Sequence, residues 1–262
     1  MKIDGKTIWI TGASSGIGEA LTYYLDQKNC KLILSSRKEG QLKIVKSNCK
    51  HQENIQILPL DLADFDGMST KTEKALSAFG TIDILINNAG ISQRSLVAKT
   101  KFEVYKKLID VNYLGTVAIS KSVLPYFLQQ KKGTFVTISS LMGKFSSPYR
   151  SGYCGAKHAL HGFFDSLRLE HEKDGIGVTM ICPGFVNTNV AQNALTGDGS
   201  AQNQQDEATA NGLDVNIFAK KMIRAIERKK FEAYIGGKET MATYLRIFPK
   251  LLHRIVLRST VK

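Results

Sequence analysis

A short β-rich run, Thr7–Thr11 (TIWIT), passes directly into Gly12-Ala13-Ser14-Ser15-Gly16-Ile17-Gly18 and then into a helical pattern over residues 19–27. A strand, a glycine-rich turn and a helix in immediate succession leave a chain few folds to choose from. The glycines at 12, 16 and 18 let the backbone approach a ligand. The helix start presents unpaired N–H groups and the positive end of its dipole. The stretch Gly12 to Gly18, with Ser14, Ser15 and Ile17 inside it, therefore reads as a phosphate-binding turn, and its context separates it from a Gly-rich connector.

A second constellation lies far downstream. Residues 139–157 read SSLMGKFSSPYRSGYCGAK, with Ser140, then Tyr153, then Lys157 four residues further on. Side chains four apart share one helix face, so Tyr153 and Lys157 can act as a pair. A phenol has an unperturbed pKa of roughly 10, and a neighbouring ammonium stabilises its phenolate. Ser140 ends an apolar run, residues 134–140 (TFVTISS), that reads as a buried strand. The C-terminal end of such a strand is where α/β sheets bind ligands.

Composition narrows the remaining options. The chain has 262 residues, 43% of them hydrophobic, enough for one α/β domain. No uninterrupted apolar stretch is long enough to span a bilayer, and Lys2, Asp4 and Lys6 break any signal-like run, so a cytoplasmic protein is expected. Cys30, Cys49, Cys154 and Cys182 show no metal-type spacing and read as free thiols; Cys182 is expected to serve as a small buried apolar residue. His158 and His161 lack further ligands nearby, so no metal site is expected. Of the net charge of +13, residues 214–262 carry +8, from 12 Lys or Arg against 4 Asp or Glu. The basic residues do not interleave with aromatics, which argues against nucleic acid.

The turn TGxxxGxG from Thr11, the NNAG sequence at Asn87 to Gly90, and the Tyr153/Lys157 pair occur in an order and spacing that resemble the short-chain dehydrogenase/reductases, from about Lys6 to about Gly237. The resemblance implies a single doubly wound (Rossmann) parallel sheet of about seven strands with helices on both faces. It also implies reversible hydride transfer between a nicotinamide cofactor and a carbonyl or secondary alcohol. Tyr153 would be the general acid/base, Ser140 would hold the substrate oxygen, and Lys157 would lower the Tyr153 pKa and hold the nicotinamide ribose. Asn112 falls where the family places a fourth catalytic residue, one that holds a relay water. Asp61 and Leu62 match the adenine contact, Asn88, Ala89 and Gly90 pack beside the adenine ribose, and Pro183, Gly184, Val186 and Thr188 match the motif that engages the carboxamide. An alternative from another class is a non-catalytic NADP(H)-binding redox sensor or scaffold; the joint presence of Asn112, Ser140, Tyr153 and Lys157 speaks against it.

The end of the second strand, residues 31–36 (KLILSS), bears on which cofactor is used. A carboxylate there would bind the ribose hydroxyls, whereas an Arg accommodates a 2′-phosphate. The chain has Ser36, Arg37 and Lys38 before its first acid, Glu39, which favours NADP(H) over NAD(H). Further strands are expected at residues 55–59, 83–86 and 177–182, a helix N-capped by Asp64 and running to residue 79, a helix bent at Pro125, and a long helix over residues 150–173.

Within the family, KFSSPYRSGYCGAKHALHGFFDSLRLE most resembles dehydrogenase/reductase members related to 11-beta-hydroxysteroid dehydrogenase, which implies a lipophilic substrate: steroid-like, retinoid-like or a long-chain keto lipid. The resemblance also implies a homodimer or homotetramer. Residues 1–240 are expected to form the domain, with a mobile substrate lid at about 189–212, a segment poor in large apolar residues. Residues 241–262 read as a basic amphipathic segment: Arg246, Lys250, Arg254, Arg258 and Lys262 recur every four residues beside Leu245, Phe248, Leu251, Leu252, Ile255 and Val256. Pro249 marks a break or a helix start. This segment can lie on an anionic membrane, cover a neighbouring subunit or pack on its own domain.

Overall fold

Alternation in β1 (Thr7–Thr11) builds two layers of core at once, because successive side chains leave opposite faces of a strand. Ile8 and Ile10 enter one apolar cluster with Leu21, Leu25, Phe218 and Met222, while Trp9 enters the other with Leu85, Phe127, Phe135 and Phe164. Burial on both faces is the signature of a parallel sheet covered by helices on each side. The computed structural model describes residues 1–258, and in it the sheet has seven strands. They are β1, β2 (Lys31–Ser35), β3 (Ile55–Ile57), β4 (Ile84–Asn87), β5 (Gly133–Ile138), β6 (Ile176–Pro183) and β7 (Glu232–Ile235). Every neighbouring pair is parallel, in the order β3-β2-β1-β4-β5-β6-β7. The doubly wound architecture expected from the motifs is therefore present, and the order reverses between β1 and β4, where such sheets open a ligand crevice.

The helices are α1 (Gly16–Asp26), α2 (Glu39–Ser47), α3 (Met68–Phe79), α4 (Phe102–Ile109), α5 (Gly115–Gln129), α6 (Ser151–His171), α7 (Glu207–Ala210), α8 (Val215–Glu227) and α9 (Pro249–Arg258). Helix α3 begins four residues after Asp64, whose Oδ1 accepts from the Gly67 amide at 3.2 Å. Asp64 thus closes the turn before the helix and is not its N-cap. Helix α5 runs through Pro125. A π turn, Asp110–Leu114, joins α4 to α5 and contains Asn112. Such turns inside helices often occur at functional sites.

Residues 189–212 are tied to the body at several points. Ala191, Ala194 and Leu195 are buried, the Arg94 amide donates to the Leu195 carbonyl at 2.8 Å, and the Leu195 amide donates to the Ser92 carbonyl at 2.9 Å. Small alanines, Leu195, main-chain groups and the Arg94–Asp206 ion pair supply the anchoring here. Beyond β7 a 3₁₀ stretch, Lys238–Ile247, leads into α9, which begins at Pro249, a residue suited to the first helical position. Lys262, the last member of the basic repeat, lies outside the described residues. Among the described residues no helix is long and apolar enough to cross a membrane.

Candidate active site

The chain leaves β5 at Ile138, and Ser140 then caps a single 3₁₀ turn, Leu141–Gly143, its Oγ accepting from the Met142 amide at 3.1 Å. The start of α6 is capped in turn by Gln93, whose Oε1 accepts from the amides of Gly152 at 2.8 Å and Tyr153 at 3.3 Å. Two independent caps therefore fix the Ser140 turn and the helix start that carries Tyr153. Burial raises the Tyr153 phenol pKa, while the Ser140 hydroxyl, then Arg150 and Arg94, pull it back. Lys157 is buried, which lowers its pKa to about 8. Its Nζ lies 5.7 Å from the centre of the Tyr153 ring and donates to the Ile138 carbonyl at 2.8 Å.

The glycine turn tests whether a dinucleotide can be held. A Cβ on Gly12 would stand 2.7 Å from the Ala89 Cα, and one on Gly18 would stand 2.3 Å from the Gly12 carbonyl oxygen. Gly12 and Gly16 also have positive φ, of 67° and 57°, a region that side chains disfavour. Ser15 occupies the N-cap of α1 without a side-chain hydrogen bond to the helix, so the first N–H groups have no cap. Ser14 is buried beside them. The residues present fit the pyrophosphate of a dinucleotide.

The other expected contacts divide into binding and building. Asn88 Nδ2 donates to the carbonyls of Thr11 at 2.9 Å and Gly12 at 3.1 Å, and the Asn88 and Ala89 amides donate to Thr11 Oγ1. This turn welds the end of β4 to the end of β1. Asn112 clasps Ile91, accepting from its amide at 2.8 Å and donating to its carbonyl at 2.9 Å, and its Oδ1 leaves no room for a Cβ on Gly90. Leu62 is buried under Gly115, while Asp61 is exposed and accepts from the Ala63 amide. Thr188 lies against Gly16, which brings the segment after Pro183 onto the glycine turn. Ser36 follows β2 directly, its Oγ accepting from the Lys38 amide at 3.1 Å, and the exposed Arg37 makes no hydrogen bond or ion pair among the described residues.

A cavity of about 610 Å³ opens where these elements meet. Ser140, Tyr153 and Lys157 line it together with Ile17 from the glycine turn, Asn88 and Gly90 from the end of β4, and Pro183, Gly184, Val186 and Thr188 from the end of β6.

Comparison with known proteins agrees with this geometry. The family model described as "short chain dehydrogenase" matches residues 6–199. The chain belongs to the short-chain dehydrogenase family. It is 47% identical over 203 residues to the human "Dehydrogenase/reductase SDR family member 7", covering 75% of this chain and 60% of that protein. It is 37% identical over 268 residues to the Drosophila melanogaster "Dehydrogenase/reductase SDR family protein 7-like", covering 100% of this chain and 82% of that one. A short chain dehydrogenase/reductase from Burkholderia phymatum, solved in complex with NAD, superposes with a TM-score of 0.81 at 22% identity, covering 100% and 98% of the two chains. ElxO with NADPH bound superposes with a TM-score of 0.66 at 30% identity over 70% and 75% of the chains. The chain is thus an oxidoreductase of this family.

The cavity of this dehydrogenase is also lined by residues that its motifs do not announce. Arg94 and Arg150 line the cavity, joined through Asp206, and the sequence separation between Arg94 and Asp206 hides that link from any local pattern. The C-terminal segment, with three placements open from its periodicity, contributes Met241, Ala242, Leu245, Ile255 and Val256 to the cavity wall. Behind the wall, Cys182 sits in a polar network. Its Sγ donates to Glu232 Oε1 at 3.2 Å, the same oxygen that binds Lys144 Nζ at 2.7 Å, and His161 Nε2 meets Ser139 Oγ at 2.9 Å. Burial lowers the His161 pKa to about 4, with Lys144 adding to the effect, so the imidazole is neutral at pH 7. This network ties the loop after Ser140 to α6 and β7.

Proposed function

We propose that this dehydrogenase is an NADP(H)-dependent enzyme that interconverts a carbonyl and a secondary alcohol on a lipophilic substrate, with Tyr153 as general acid/base. The observation that carries this reading is the convergence of Tyr153, Ser140 and Lys157 on one largely apolar cavity, walled by Leu141, Phe145, Leu245 and Ile255. When bound, the reduced nicotinamide supplies the hydride. In the reductive direction Tyr153 donates its proton to the substrate oxygen and Ser140 hydrogen-bonds that oxygen, so both donors stand where negative charge develops. Lys157 places an ammonium near the phenol, which favours the phenolate after proton transfer. The Asn112 side chain is committed to Ile91 and its carbonyl accepts from Thr116 Oγ1 at 3.1 Å, so its role here is to hold the turn beside the cavity.

Arg37 supports NADP(H): it is exposed just after β2 with no partner among the described residues, and no carboxylate stands between Ser36 and Glu39. Titration of the purified protein with NADPH and with NADH, read by nicotinamide fluorescence, is expected to show much tighter NADPH binding. Tighter NADH binding would reverse the cofactor assignment, and binding of neither would remove the enzymatic reading.

The same proposal sets the C-terminal segment against an anionic membrane surface in an otherwise cytoplasmic protein. Met241, Tyr244, Ile247, Phe248 and Leu251 are exposed beside Arg246, Lys250, Arg254 and Arg258, a pattern suited to the headgroup region. The full chain is expected to sediment with anionic vesicles at low salt; a chain that stays in the supernatant would sink this part. By resemblance the enzyme is a homodimer or homotetramer, and a monomer in sedimentation velocity would contradict that.

A further inference from the structure

Arg150 is a buried cation with more donors than partners. It is 7% exposed and precedes α6 as its N-cap residue. Among the described residues its hydrogen bond goes to a neutral group, from Nη1 to Ser147 Oγ at 3.0 Å. A guanidinium offers five N–H donors.

The carboxylate beside it is already committed elsewhere. Asp206 Oδ2 accepts from Arg94 Nε at 3.1 Å and from Arg94 Nη2, and Asp206 Oδ1 accepts from the Thr209 amide at 2.9 Å. Arg150 Nη2 stands 3.7 Å from Asp206 Oδ2, beyond hydrogen-bond distance. Two guanidinium groups against one carboxylate leave a surplus of one positive charge in the wall of the cavity. The carboxylate of Glu239, which also lines the cavity, accepts from the amides of Phe185 at 3.0 Å and Gly237 at 2.9 Å and forms no ion pair with Arg150 among the described residues. Arg150 thus shares its carboxylate with Arg94 and keeps N–H donors without an acceptor, which is costly for a buried guanidinium and which a ligand oxyanion would satisfy.

We infer that Arg150, backed by the charge of Arg94, is an oxyanion subsite for the substrate. Resting on the reductase reading above, it narrows the substrate to an amphiphile: a carboxylate or phosphate at Arg150, a carbonyl at Tyr153, and an apolar body against Phe145, Leu245 and Ile255. A guanidinium fork matches either oxyanion.

The test compares three ketones of one chain length, a long-chain keto acid, its methyl ester and the corresponding keto alkyl phosphate, each as a substrate for the full chain with NADPH. A charge-assisted hydrogen bond predicts a kcat/KM for the better anion about 10- to 100-fold above that of the ester, and the two anions against each other identify the headgroup. In Arg150→Met that ratio is expected to collapse to about one, with folding checked by circular dichroism. Equal rates for ester and anions in the natural chain overturn the subsite whether or not the variant folds. So does an undiminished preference in a folded Arg150→Met. Calorimetry separates the two readings: if none of the ketones is reduced yet the anions bind in an Arg150-dependent way, the subsite stands and the proposed activity fails.

Discussion

Replacing Tyr153 by Phe is expected to lower turnover by about 10²- to 10⁴-fold, the usual contribution of a positioned general acid, while leaving NADPH binding near normal. The substitution deletes one oxygen and keeps the ring that Lys157 faces. The caps that place the residue, Gln93 on its amide and Ser140 on the Met142 amide, are untouched. Steady-state kinetics with a lipophilic ketone, together with a fluorescence titration of NADPH, measures both halves. Substantial activity in the folded variant would take proton transfer away from Tyr153.

The second large effect is expected at Gly18. A Val there would push its Cβ to within 2.3 Å of the Gly12 carbonyl oxygen and 2.9 Å of the Ala13 Cα. Both obstacles are backbone, which cannot rotate away. Gly18→Val should therefore abolish cofactor binding and destabilise the fold by about 3 kcal/mol, about 10 °C in Tm for a chain of this size. Gly40 in α2 is the matched control, with nothing within 4 Å of a Cβ. Gly40→Ala should be neutral or slightly stabilising, since alanine is the better helix former. Normal NADPH binding by Gly18→Val would show that the turn is not the phosphate cradle.

What could be read from the residues, and what could not, follows from range. β1, the glycine turn and α1 are contiguous, so their pattern announces the fold and marks the candidate cradle. Tyr153 and Lys157 are readable because one helical turn brings them together. β3 is shorter than its apolar run because ladder register with β2, its sole partner, ends at Ile57, although the Leu58 and Leu60 amides still donate to the carbonyls of Leu34 and Ser36. β7 (EAYI) is short and carries little periodicity. Asn112 could be located from the family pattern, but its clasp on Ile91 depends on a turn 21 residues away. The Arg94, Asp206 and Arg150 cluster has no local signature at all. Three segments distant in sequence meet only because the chain after β6 folds back over the ends of β4 and β5. The C-terminal periodicity showed a helix and its two faces; that its apolar residues reach the cavity wall is a tertiary fact.

Hydride transfer through this site is tested most directly by isotope. NADPH deuterated at the transferring position of the nicotinamide should be incubated with the enzyme and a long-chain ketone, and the alcohol product analysed by mass spectrometry. One deuterium at the carbinol carbon, lost together with turnover in Tyr153→Phe, is the expected result. Oxidation of NADPH without deuterium in the product, or deuterium transfer undiminished in Tyr153→Phe, would contradict it.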